Sequence, residues 1–266
     1  RTSPTLFFLI KAQLPSTNPF MNRYKQIQAE ILAASNILIT AHKSADGDSV
    51  GASLGLLHFI EKLGKKAIIC HPDKAPDFLD FLELSAITTM DQEPEKVTAA
   101  FQEADLIFCL DYNATDRVGK GMQPLLVAAT CTKIMIDHHL DPQDFATITL
   151  SDTAVSSTAE LIVKLIEQSG NSRLLDEEIG TPLYLGILTD TGSFRFNSVK
   201  PRTHEVLAKL LAAGVKHHLI HESLNDTNTA SRLRLQGFAM SQKMEILAEN
   251  GVAIISLTKE ELEKYQ

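Results

Sequence analysis

Four short apolar runs, each leading straight into a histidine or an aspartate, constrain this chain more than any other feature. They are Ile37 to Ala41, Ala67 to Cys70, Leu106 to Leu110 and Lys133 to Ile136. Each has the length and branched apolar composition of a strand buried on both faces. Helical stretches separate them. In Ser49 to Leu63, for example, Val50, Leu54 and Leu57 share one face, and Gly51 and Gly55 are expected to let the helix approach a sheet closely. Such β-α-β alternation predicts an α/β fold built on a doubly wound parallel sheet.

Further helices are expected over Ser156 to Gln168, Glu178 to Thr189, Thr203 to Leu211 and Ala230 to Lys243. Asn250-Gly251 predicts a hairpin between strands at Lys243 to Ala248 and Val252 to Leu257. The more polar stretch from Val215 to Thr229 reads as a connector. About 35 residues come after it, too few to close an independent core, so the chain is expected to stop inside a second domain. Residues 1–21 read as an N-terminal extension, with Met21 as the expected native start. Leu6 to Ala12 lacks the basic run, full apolar stretch and small-residue cleavage site of a signal peptide.

Composition narrows the class. With 44% hydrophobic and 22% charged residues over 266 positions, the chain has enough apolar material for a core, and disorder is excluded as its main state. Cys70, Cys109 and Cys131 have no CxxC spacing, which indicates neither a disulfide framework nor a zinc ribbon and fits a reducing, cytosolic compartment. No apolar run approaches the roughly 20 residues that span a bilayer, so a membrane protein is not expected. The net charge of −8 disfavours a simple basic-patch nucleic-acid binder.

The chemistry is carried by the residues directly after the apolar runs. The first run leads into His42-Lys43-Ser44-Ala45-Asp46-Gly47-Asp48, the third into Asp111, and the fourth into Asp137-His138-His139. Asp190 comes after the apolar segment Leu183 to Leu188. In an open parallel sheet the carboxyl ends of the strands converge on one crevice, so these groups can meet there. That many carboxylates cannot share a crevice without a cation, because like charges at contact distance oppose joint ionisation. The donor set is rich in oxygen, with a minority of imidazole nitrogen and no thiolate, which suits Mn²⁺ or Mg²⁺ better than structural zinc. Enough ligands are present for two ions sharing an aspartate. Either tripeptide or loop alone would be a weak signal; their joint placement after buried strands is a specific one.

In these motifs the chain resembles the DHH family of phosphoesterases, named for the triplet found here at Asp137-His138-His139. The order His42/Asp46/Asp48, Asp111, Asp137-His138-His139 and Asp190 matches the family's four motifs, and Gly47 and Gly51 fit its first loop. The resemblance implies that His42 and Asp46 hold one metal and Asp48, His138 and Asp190 a second, with Asp111 bridging both. It further implies that Asp137 orients an imidazole and that His139 contacts the scissile phosphate, in a hydrolysis by in-line attack of a hydroxide shared by the two metals. Mn²⁺ is the expected cation and Mg²⁺ the alternative.

Ala41 to Ser53, Ser156 to Glu160 and Gly186 to Asn197 are most similar to a bacterial branch that degrades very short oligoribonucleotides and removes the 3′-phosphate of 3′-phosphoadenosine 5′-phosphate (pAp). That branch usually has proline where this chain has Ala45, and a Gly-Gly-Gly-His segment that is not found before Gln266. The implied organisation is a DHH catalytic domain over 22–214, a connector over 215–229 and an incomplete substrate-binding domain over 230–266. Other hydrolases of the family, acting on inorganic pyrophosphate or on linear or cyclic dinucleotides, are the nearer alternative. A non-enzymatic metal and nucleotide sensor is the more distant one.

Substrate contacts are expected from Ser157 and Arg195 besides His139. Ser157-x-x-Glu160 is a capping-box pattern at a helix start that could also receive phosphate. Arg195 lies between Phe194 and Phe196, which read equally as a strand-like pair. His217, His218 and His221 read as solvated surface rather than a zinc site, since no carboxylate or cysteine has suitable spacing. Residues 1–199 carry 16 Lys+Arg against 25 Asp+Glu, whereas 200–244 carry 7 against 3. This balance favours a short oligoribonucleotide or nucleotide over long double-stranded nucleic acid, and leaves a homodimer open.

Overall fold

The computed structural model describes residues 19–226 and 228–265, so most of the expected N-terminal extension lies outside the described residues. The chain divides into two compact units between Val215 and Lys216. The first unit opens with α1 (Pro19–Ala33), β1 (Ile37–Ala41), α2 (Gly47–Lys62), β2 (Ala67–His71) and β3 (Ile87–Thr89). It continues with α3 (Pro94–Glu103), β4 (Leu106–Leu110), α4 (Gly119–Ala128), β5 (Thr132–Asp137) and β6 (Ile148–Ser151), and closes with α5 (Thr158–Gln168), α6 (Glu177–Asp190) and α7 (Pro201–Ala212).

The six strands form one parallel sheet in the order β3-β2-β1-β4-β5-β6. The four expected strands are present; β3 and β6 are additions at the two edges. Both are short and contain threonine or serine, and β6 alternates buried with half-exposed residues, so neither produces an apolar run. The central strands β1 and β4 are buried at every position. One sheet face packs Leu38, Cys70, Ile107, Cys109 and Met135 against Val97 and Phe101 of α3 and Met122 and Leu126 of α4. The other face is covered by α2 and α5, with α6 stacked against both.

The glycines of α2 differ from expectation. Gly51 and Gly55 open the way to α6 rather than to the sheet: a Cβ on Gly51 would stand 2.3 Å from the Pro182 carbonyl oxygen, and one on Gly55 2.4 Å from Leu183 Cδ2. Residues 192–198 form a succession of turns instead of a strand-like pair, with Ser193 and Phe194 both at positive φ.

The second unit contains α8 (His217–Asn225), α9 (Ala230–Phe238), the antiparallel pair β7 (Met244–Leu247) and β8 (Val252–Ile255), and α10 (Lys259–Glu263). Gly251 takes the left-handed conformation in the turn, as Asn250-Gly251 predicts. The stretch read as a connector thus carries a helix. On it the His217 ring centroid lies 6.0 Å from that of His218 and 6.2 Å from that of His221, and none of the three belongs to a metal-holding group found among the described residues. Among those residues no helix is long and apolar enough to cross a membrane.

Candidate metal centre

β1 and β4 are neighbours in the sheet, and the chain leaves them for opposite flanks: β1 leads to β2 on one side, while β4 is followed by β5 on the other. The carboxyl ends at such a switch point form a crevice. His42 follows β1, Asp111 follows β4, and Asp137 to His139 close β5, so all three segments reach that crevice. The N-terminus of α2 brings Asp46 and Asp48 to the same edge, and the C-terminus of α6 brings Asp190.

The eight site residues expected from the motifs are thereby assembled. His42, Asp46 and Asp111 offer one group of ligand atoms; Asp48, His138 and Asp190 offer a second; Asp111, His138 and His139 a third. His42 Nε2 lies 3.5 Å from Asp46 Oδ2 and 3.4 Å from Asp111 Oδ2. His138 Nε2 lies 3.5 Å from Asp111 Oδ1, 3.3 Å from Asp190 Oδ2 and 3.9 Å from Asp48 Oδ2. The two oxygens of Asp111 therefore face different halves of the site. Ligands about 2.1 Å from one ion, at octahedral or tetrahedral angles, stand roughly 3.0–3.4 Å apart, close to most of these separations.

Local hydrogen bonds aim the donors. His42 Nδ1 is 2.8 Å from the Lys43 carbonyl oxygen. A carbonyl only accepts, so Nδ1 carries the proton and the lone pair of a neutral ring sits on Nε2, facing two carboxylates. Asp46 divides its carboxylate: Oδ1 caps α2 by accepting from the amides of Asp48 and Ser49, while Oδ2 faces His42. Ser44, in the turn between them, has φ 61°, and its amide donates to both oxygens of Asp73. Asp137, fully buried, accepts from the His139 ring at Nδ1 and from the His139 amide.

Asp48 has the most confined setting. Its side chain is 1% exposed, and its two oxygens accept from the amides of Thr158 and Ala159 at the start of α5. The α5 N-terminus, a candidate seat for phosphate, thus already holds a carboxylate of the chain itself. Ser157 is fully buried and its hydroxyl accepts from the Glu160 amide, so it caps α5. The capping box stays open because Glu160 turns to the hydroxyls of Ser156 and Thr203. Arg195 is exposed, with Nε donated to the Gly192 carbonyl. Thr158 and Asp73 escape motif reading; Thr158 falls inside the Ser156 to Glu160 likeness but carries no ligand signal of its own.

Charge is unevenly satisfied. Burial and the neighbouring Asp111 and Asp190 carboxylates push Asp48 well above the usual carboxylate range. Burial, outweighing nearby His138, raises Asp190 to about 6. Burial opposes a charged His42, yet its contacts with Asp111 and Asp46 prevail and raise it to about 10. The carboxylates demand positive charge between them, and the crevice suits an oxygen-preferring divalent cation. Asp48 and Asp111 form its buried floor, and Asp46 and His139, 52% and 38% exposed at their side chains, form the open rim.

Known proteins resemble this chain in sequence and fold. The family model described as "DHH family, N-terminal domain" matches residues 36–187. The chain is 32% identical over 220 residues to the bifunctional oligoribonuclease and PAP phosphatase NrnA of Thermus thermophilus, covering 81% of this chain and 62% of that protein. It is 25% identical over 268 residues to the cyclic-di-AMP phosphodiesterase GdpP of Bacillus subtilis, covering 94% of this chain and 39% of that protein. Among solved structures, an exopolyphosphatase-related protein from Bacteroides fragilis superposes with a TM-score of 0.88 at 37% identity, over 92% of this chain and 72% of that one. The chain thus spans less than two thirds of the length of the two curated relatives.

Proposed function

The chain belongs to the DHH family, and from that premise we propose that it is a metal-dependent phosphoesterase acting on short oligoribonucleotides and on the 3′-phosphate of pAp. The observation that carries the reading is the pair of His/Asp groups sharing Asp111 across its two oxygens. His42, Asp46 and Asp111 would hold one divalent cation, and Asp48, His138, Asp190 and Asp111 the other. Two such cations supply an activated water at neutral pH and neutralise charge on the phosphoryl oxygens.

The protein's own residues do the rest. Asp111 keeps the two halves in register. Asp137 accepts from His139 Nδ1, which leaves Nε2 on the far side of the ring for the substrate phosphate. The hydrogen bond that the His139 ring donates to Asp137, opposed by burial, raises the His139 pKa and favours a ring that donates to phosphate. The nucleophile is water, so no covalent intermediate with a side chain is required. The mixed oxygen and nitrogen donor set favours Mn²⁺ over Mg²⁺.

Substrate choice is supported by the likeness to the Thermus thermophilus protein and by charge: a chain of net −8 with a basic segment over 200–244 suits a short anionic ligand. Residues 22–214 serve as the catalytic domain, and residues 230–266 contribute to the grip on the nucleotide. Three unpaired cysteines support a cytosolic setting. Likeness to a cyclic-di-AMP phosphodiesterase over nearly the whole chain supports a second reading, cyclic dinucleotide hydrolysis.

Asp111→Asn tests the centre cleanly, because asparagine tolerates the φ of 62° that Asp111 adopts. The expected result is turnover of a diribonucleotide and of pAp in Mn²⁺ buffer by the parent chain, with loss of at least 100-fold in the variant, roughly the cost of removing a charge-stabilising group. Undiminished turnover by Asp111→Asn would defeat the shared-ligand reading. Preference for cyclic di-AMP in direct competition would select the second substrate.

A further inference from the structure

We infer that Thr158 is a positioning residue for the metal centre, one whose hydroxyl sets the tilt of the Asp111 carboxylate so that each oxygen faces one half-site. The inference rests on the two-cation reading above. Asp111 has to point in two directions at once, with Oδ2 toward His42 and Oδ1 toward His138. The terminal torsion of an aspartate is broad, so nothing in the side chain itself fixes that division.

Thr158 Oγ1 donates to Asp111 Oδ1 at 2.9 Å. With the hydroxyl as donor, Oδ1 keeps its second lone pair for a cation. Thr158 is fully buried and Asp111 nearly so, where such a bond is strong and its loss is not made good by water. The hydroxyl is itself well held. Thr158 is the first residue of α5, with its amide on Asp48 Oδ2 at 2.6 Å, and its branched Cβ restricts χ1. A single residue therefore touches Asp48 through its backbone and Asp111 through its side chain, which ties the seat of one half-site ligand to the carboxylate shared by both.

The alternative is that Thr158 matters only as packing. Valine has the same shape and keeps the amide bond to Asp48, while serine keeps the hydroxyl and loses the methyl. Mn²⁺ titrations of the full chain followed by calorimetry separate the two. Thr158→Val is expected to weaken at least one of two Mn²⁺ sites roughly 10- to 100-fold, the usual effect of losing a partner that orients a ligand, with Thr158→Ser within about threefold of the parent. If Thr158→Val does not fold, Thr158→Ala provides the hydroxyl-free comparison. Parent-like Mn²⁺ affinity in Thr158→Val, or a tenfold loss in Thr158→Ser, overturns the role of Thr158 and leaves the two-cation reading intact. A parent chain that takes up no Mn²⁺ overturns both.

Discussion

Asp46 shows how one side chain can serve fold and chemistry together: one oxygen closes the first turn of α2 while the other faces His42. This division requires the loop before it to turn sharply, and Ser44 does so at φ 61°, a conformation costing roughly 1–2 kcal/mol for a residue with a Cβ. Asp73 offsets that cost by taking the Ser44 amide with both oxygens, at 2.9 and 3.0 Å. Asp73→Ala is therefore expected to lower stability by about 1 kcal/mol, comparable to losing a helix cap, and Ser44→Gly in the same background to recover part of it. Urea unfolding of the parent, the single variant and the double variant checks this; an unchanged midpoint in Asp73→Ala would show that the turn stands unaided.

At the scale of elements, the spacing of α2 and α6 sets the spacing of the ligands, because α2 carries Asp48 near its start and α6 ends on Asp190. Glycines set that spacing. Beside the clash of a Gly51 Cβ with the Pro182 carbonyl, a Cβ on Gly186 would meet Ala159 Cβ at 2.7 Å and Asp48 Oδ1 at 2.8 Å. Since the Pro182 contact is backbone, no side chain can swing aside. Gly51→Ala is expected to cost about 1–3 kcal/mol through overpacking and to weaken Mn²⁺ binding as Asp48 and Asp190 separate. At Gly237 in α9 a Cβ would meet nothing within 4 Å, so Gly237→Ala should be neutral or stabilising by up to about 1 kcal/mol. Thermal unfolding of both variants gives the comparison; equal effects would mean that close helix contact is not what Gly51 provides.

For the molecule as a whole, the site lies where a parallel sheet reverses its strand order, and four separate segments of chain supply its eight residues. A ligand that binds only the assembled arrangement stabilises it by mass action. Mn²⁺ at about 100 times its dissociation constant should add roughly 2.7 kcal/mol per site, a rise in Tm of roughly 5–10 °C for a unit of this size. Asp111→Asn should lose most of that rise, and an equal rise in the variant would place the bound ions elsewhere. The apolar periodicity alone determined the α/β class, the four inner strands and the gathering of His42, Asp111 and Asp137 to His139 at one sheet edge, because parallel strands must end together. Only the tertiary structure decided the rest: that α2 meets α6 through Gly51 and Gly55, that Asp48 occupies the start of α5, and that Thr158 reaches Asp111. Asp48 and Thr158 are 110 residues apart in the chain, and Asp111 and Thr158 are 47 apart. Contacts of that span depend on how far apart packed elements come to rest, which local sequence patterns do not encode.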